Sequence, residues 1–317
     1  MSSRRRSTCY LTVVCILCVY LVLIFETEKL KKMRSLDRTG AATEQSLAGT
    51  NAPKQEEQLT HYDAPQEQVP CTCDSQTSDW DGPPEDDSPP KCFFFDVGVN
   101  VGSSSLAFVG DDAESSCMLC SLARPLGDDH KVSGPWEYTK DCIHQTAVSI
   151  DLLKEETFPA LLREGFDPKD CRVVMIEGSK EFDLVMDKLE TVIKDSLVFK
   201  NTAAWMCDGR LQFNQRTTIE GRNFKNKFEV TAVNFLRLLY TLTREKDFVV
   251  VKMDIEGGEY EILPCLVDNK EIISLLDIFY IEAHDRFMVA KPEIIAKKDD
   301  AFDLLRQSGV KVSTRWP

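Results

Sequence analysis

Positive charge is what this chain lacks most. Its 38 lysines and arginines face 52 aspartates and glutamates, for a net charge of -14 over 317 residues. A chain so acidic is repelled by phosphate backbones, which disfavours nucleic acid as its main partner. Histidine is scarce too, at four residues. A zinc scaffold would want paired C-x-x-C spacings with histidines beside them, so that class is disfavoured. No internal repeat is present, and no Asn-x-Ser/Thr site for N-linked glycans. Cysteine, in contrast, is plentiful, with 12 residues, among them the close pairs Cys71/Cys73 and Cys117/Cys120. That usage suits disulfides in an oxidising compartment. Cys9, Cys15 and Cys18 lie in an apolar N-terminal run, and the odd number downstream leaves a thiol free or paired between chains.

Residues 7–25, Ser7 to Phe25, contain no charge and are almost wholly apolar. As a helix they would span about 28 Å, close to the hydrocarbon thickness of a bilayer. Arg4, Arg5 and Arg6 precede the run, and no small-residue cleavage site follows it. The expectation is an uncleaved signal anchor behind a cytoplasmic tail of residues 1–6. Lysines flank the far side as well, so the lumenal placement of the rest depends mainly on the cysteines. The reading is a single-pass type II membrane protein of the Golgi or endoplasmic reticulum. Residues 26–90 are rich in Glu, Gln, Thr, Ser and Pro, and read as a disordered stem.

From residue 91 to 317 short apolar runs alternate with amphipathic stretches, which predicts an α/β fold with a doubly wound parallel sheet. Candidate strands are Phe93–Asp96, Arg172–Glu177, Leu197–Phe199, Phe248–Met253 and Leu276–Ile281, with Val310–Thr314 as a sixth. A helix is expected between the second and third strands, capped by Ser179. Another is expected over Thr231–Thr243.

Four motifs fall at strand ends. The first strand ends in Asp96-Val-Gly98-Val-Asn100-Val-Gly102, a turn that brings backbone close to a ligand at a helix N-terminus. Its G-x-x-x-G spacing is not the G-x-G-x-x-G of a pyrophosphate binder. The second strand ends in Glu177-Gly178-Ser179, where a carboxylate can accept two hydrogen bonds from a ribose diol. The fourth yields Lys252-Met253-Asp254-Ile255-Glu256-Gly257-Gly258-Glu259 and the fifth Glu282-Ala283-His284. Carboxylates leaving a buried strand face the ligand edge of such a sheet, and a histidine there can take a proton.

In this order the motifs resemble the FkbM-type family of S-adenosylmethionine-dependent methyltransferases, Rossmann-like class I enzymes that typically methylate a hydroxyl oxygen. The resemblance spans roughly residues 91–317. It implies that Asp96, Gly98, Asn100 and Gly102 line the methionine end of the cofactor. Glu177 would hold the ribose, Asn201 and Ala203 would lie near the adenine, and Asp254, Glu256 and His284 would meet the acceptor. His284 is the expected base. No metal is required, although Asp254 with Glu256 or Glu282 offers a divalent-ion alternative.

Three features depart from the family pattern. The stretch of about 111–170 is long for one crossover helix and reads as an insertion. Gly178 stands where proline is usual, and little chain remains for an antiparallel seventh strand. The expected partner is a small-molecule or glycan hydroxyl in the secretory lumen. Two alternatives stay open: a catalytically degenerate binding or adaptor protein, and a Golgi glycosyltransferase, for which Asp79-Trp-Asp81 would be the metal motif.

Overall fold

The computed structural model describes Trp80, Gly82 and residues 87–110, 135–219, 222–285 and 292–314, all within a compact unit beginning at Thr60. The expected anchor and most of the stem lie outside the described residues. Among the described residues no helix is long and apolar enough to cross a membrane.

The chain enters at β1 (Cys92–Val97), followed by helices α1 (Ser103–Val109), α2 (Pro135–Glu156) and α3 (Phe158–Arg163). Then come β2 (Arg172–Glu177), α4 (Asp183–Val192), β3 (Ser196–Lys200) and β4 (Thr202–Trp205). The hairpin β5 (Gly209–Ile219) and β6 (Arg222–Asn234) leads into α5 (Phe235–Leu242). The remainder is β7 (Phe248–Met253), α6 (Glu259–Val267), α7 (Lys270–Ile273), β8 (Ile278–Ile281), α8 (Pro292–Gln307) and β9 (Lys311–Ser313).

Six strands form one sheet in the order β3-β2-β1-β7-β8-β9, every pair parallel. This is a Rossmann-like, doubly wound arrangement. The winding reverses between β1 and β7, so the loops after these two strands diverge and open a crevice at the sheet's carboxyl edge. Burial on both faces explains why β1 and β7 read as apolar runs, interrupted only by Asp96 and Lys252 near their carboxyl ends. Along β1 the side chains alternate. Phe94 packs beneath α1–α4 with Leu106, Phe108, Leu153 and Leu189, its ring stacked on Phe108 at 4.2 Å. Phe93 and Phe95 face the opposite layer of α5–α8, with Phe235, Leu263 and Phe302. Ser88 and Pro89 are held by Arg244 and Lys246, which fixes the chain just ahead of β1.

Several expectations need correction. The predicted helix at Thr231–Thr243 is strand up to Asn234, whose side chain caps α5 by accepting from the Arg237 N–H. Thr231–Val233 pair with Thr202–Ala204, and that tertiary pairing overrides a helical apolar spacing. The hairpin and β4 make a second, three-stranded sheet that was not among the expected elements. Ser179 does not cap α4. A 3-10 turn intervenes, and Phe182 occupies the cap position without a side-chain bond. Residues 135–163, within the expected insertion, are helices whose Cys142, Ile150, Leu153 and Leu161 belong to the core. β9 pairs directly with β8, and among the described residues no antiparallel strand enters the main sheet. Cys92 and Cys171 form a disulfide, and Cys142, Cys207 and Cys265 are disulfide-bonded too.

Candidate functional site

The polar residues at the carboxyl edge are joined into one network. Asp96, wholly buried at the end of β1, accepts from Ser104 Oγ at 3.0 Å and Ser105 Oγ at 2.6 Å, both in the first turn of α1. Lys252 reaches across from β7: its Nζ donates to the Gly98 carbonyl at 2.6 Å. The same nitrogen lies 3.3 Å from Asp96 and 3.6 Å from Asp254. Burial would lower the Lys252 pKa, but the two carboxylates outweigh it and hold the ammonium above its ordinary value. A charged lysine within an apolar strand is thereby matched by carboxylates.

Beyond Asp254 the network reaches His284, which is 3% exposed. Glu259, at the start of α6 and wholly buried, fixes this ring. Its Oε1 lies 3.0 Å from Nδ1 and accepts the His284 backbone N–H at 3.2 Å. Its Oε2 accepts from the Gly257 N–H at 2.8 Å. With Nδ1 so engaged, Nε2 faces three carboxylates: Glu256 at 3.4 Å, Asp254 at 3.6 Å and Glu282 at 3.8 Å. Burial works against the charged imidazole, yet Glu259, Glu256 and Asp254 together raise its pKa above the ordinary value. Burial and the neighbouring Asp254 likewise raise the Glu282 carboxyl.

On the other side of the crevice, Glu177 ends β2 at 8% exposure and accepts from two backbone donors. Asn100 N–H reaches Oε2 at 2.9 Å and Ser179 N–H reaches Oε1 at 2.7 Å. Burial raises its pKa against the pull of these donors. Each oxygen keeps a second lone pair, so two further hydrogen bonds are chemically available. Asn201 follows β3 next to this point, since Lys200 is in register with Glu177. Its Oδ1 is buried without a hydrogen-bond partner. Ala203 belongs instead to the core of the small sheet, beside Leu211, Val230 and Ala232.

The backbone carries its own signal. Among the described residues only Asn100, Asn201 and Glu256 combine a side chain with positive φ, at 51°, 50° and 53°. They follow β1, β3 and β7, all on the ligand edge of the sheet, and such strain concentrates where structure serves a site. The two glycines of the first turn serve packing. A Cβ on Gly98, at φ 82°, would stand 1.7 Å from the Asp254 carbonyl oxygen, and one on Gly102 would stand 2.7 Å from Leu189.

Thus Asp96, Gly98, Asn100, Glu177, Asp254, Glu256 and His284 are brought together. Glu259 and the bridging role of Lys252 escaped the sequence reading. A carboxylate in a charge run is expected in solvent, so the burial of Glu259 had no local sign. Lys252, interrupting an apolar strand, did carry one. A depression of about 550 Å³ opens between the end of β8 and α8, lined by Glu282, Asp285, Lys298, Arg306 and Thr314 among others. Despite burial, Lys298 and the Tyr260 hydroxyl hold the Asp285 carboxyl below its usual range. Compared with known proteins, the chain matches no family model, no curated protein and no solved structure. What the site can do follows from its own atoms: accept a proton at Nε2, accept donors at Glu177 and Asn201, and hold positive charge among its carboxylates.

Proposed function

We propose that this protein is an S-adenosylmethionine-dependent methyltransferase that methylates a hydroxyl oxygen, held in the secretory pathway by residues 7–25 with its α/β domain in the lumen. The observation that carries the reading is the facing of two half-sites across one parallel-sheet edge. Glu177 with Asn100 and Asn201 forms one, and the His284–Glu259 pair with Asp254 forms the other.

The residues present fit the cofactor. Glu177 has lone pairs for a ribose diol, and the orphaned Asn201 Oδ1 suits an adenine amino group. The cofactor supplies an electrophilic methyl on a sulfonium. His284 Nε2 takes the acceptor proton, while Glu259 holds the ring through Nδ1 and stabilises the imidazolium. Asp254, 19% exposed at its side chain, orients the acceptor or faces the sulfonium's positive charge. The charged lining of the depression beside Glu282 suits a hydrophilic acceptor, in keeping with a glycan or small metabolite.

Calorimetric titration of the full chain with S-adenosylmethionine is expected to show one site. Methyl-label transfer to a microsomal extract is expected to fall to background in His284→Gln. Absence of cofactor binding would overturn the reading. It would favour a binding protein on the same fold, in which Asp96 is already engaged by Ser104, Ser105 and Lys252.

A further inference from the structure

We infer that Asp254, Glu282 and His284 form a binding site for a divalent transition-metal cation of the Mn²⁺ kind. One ligand atom from each lies within 4.8 Å of the others. Ligands sharing one ion at about 2.1 Å stand roughly 3–4 Å apart. Nε2 of His284 is 3.6 Å from Asp254 Oδ1 and 3.8 Å from Glu282 Oε1, within that span.

More than acidic residues is present here. The central ligand is an imidazole 3% exposed, and its other nitrogen is engaged by Glu259, itself wholly buried. A carboxylate behind a histidine, fixing which nitrogen faces outward, is the usual support of a metal-bound imidazole. Nε2 is thereby directed at the carboxylates of two different strand ends, the arrangement that parallel β7 and β8 impose.

The charge balance points the same way. Asp254, Glu256 and Glu282 surround one imidazole, and the nearby ammonium, Lys252, is shared with Asp96. Two oxygens and one imidazole nitrogen, without sulfur, suit a hard or borderline ion. The side chains of Asp254 and Glu282 are 19% and 37% exposed, so an ion and its remaining waters have a route in.

Cation binding needs neither cofactor nor acceptor, so it is testable without them, although the site shares Asp254 and His284 with the proposed methyl-transfer site. An imidazole nitrogen that ligates an ion carries no proton. In the ion-free protein a bound hydroxyl would pass its proton to Nε2. In the loaded protein coordination would acidify that hydroxyl, and the proton would pass to Glu256, whose side chain is 66% exposed.

The test is titration of the purified full chain with MnCl₂, followed by the loss of the free-ion electron spin resonance signal. One equivalent is expected to bind. Glu282→Gln and Asp254→Asn should each weaken it at least about tenfold, with the exposed Glu261→Gln as an unchanged control. Pulsed spin-echo spectra of the wild-type complex should show nitrogen modulation from an imidazole ligand, a readout independent of how the variants fold. No stoichiometric binding, full affinity in either variant, or a complex without the nitrogen signature overturns the site. Titration with S-adenosylmethionine in metal-free buffer separates the two ideas. Mn²⁺ binding without cofactor binding sinks only the methyltransferase, and cofactor binding without Mn²⁺ binding sinks only the cation site.

Discussion

At Glu256 a side chain is kept in a left-handed conformation that glycine would occupy without strain, although Gly257 follows immediately. The strain costs about 1 kcal/mol, and nothing in core packing calls for it, since the side chain is 66% exposed. Glu256→Gly is therefore expected to raise stability in urea unfolding by about 0.5–1 kcal/mol while lowering methyl transfer. A loss of stability would show that the carboxylate supports the fold instead. Glu259 belongs to the same scale. Its carboxylate helps hold the His284 pKa above the ordinary value, so the basic form, and with it the rate, should rise only as pH passes that elevated value. Glu259→Gln should shift the rise to lower pH and cut turnover by about a hundredfold or more. A merely structural Glu259 would change the rate without moving the profile. The linkage has a definite sign. The charged imidazole stabilises the native state fully below the unfolded pKa of about 6.5, and this contribution disappears as pH climbs through the folded value.

Among the elements, β1 and β2 are pinned at their amino ends by Cys92–Cys171, which closes a loop with a sequence separation of 79. Constraining so long a loop in the unfolded chain is worth about 2–4 kcal/mol. Cys92→Ser with Cys171→Ser should lower the unfolding free energy by that amount. Cofactor affinity should hold, because the bridge lies at the edge opposite Glu177 and Asn100. A large loss of affinity at unchanged stability would mean that the bridge shapes the site. Elements differed in how readily they could be read. β2 and β7 were legible to the residue, because strands buried on both faces leave long apolar runs. The end of β6 was not. Val233 and Leu236 keep a helical spacing on either side of the Asn234 cap, and only pairing with β4 makes the first of them strand. The hairpin leaves only a partial signal: Leu211 and Phe213, and Phe228, Val230 and Ala232, alternate with polar residues, while the stretches nearest its turn are mostly polar.

For the whole molecule, the apolar segment at residues 7–25 and the α/β domain make separate predictions. Alkaline carbonate washing of membranes should leave the full chain in the pellet. Removal of residues 1–25 should release the domain into the supernatant, and retention there would place the attachment elsewhere. The residues of the candidate site were visible from sequence as acids, asparagines and a histidine following apolar runs. What places them in one crevice is the strand order: β7 lies beside β1 although about 150 residues separate them in sequence. Burial patterning along the chain determined the class of fold and which residues emerge at strand ends, because apolar periodicity is a local property. Tertiary structure alone decided that Glu259 is buried behind His284, that Lys252 bridges Asp96 and Asp254, and that Gly98 must admit a neighbouring carbonyl. Each of those facts depends on which strands become neighbours, and that is settled by packing the whole sheet at once.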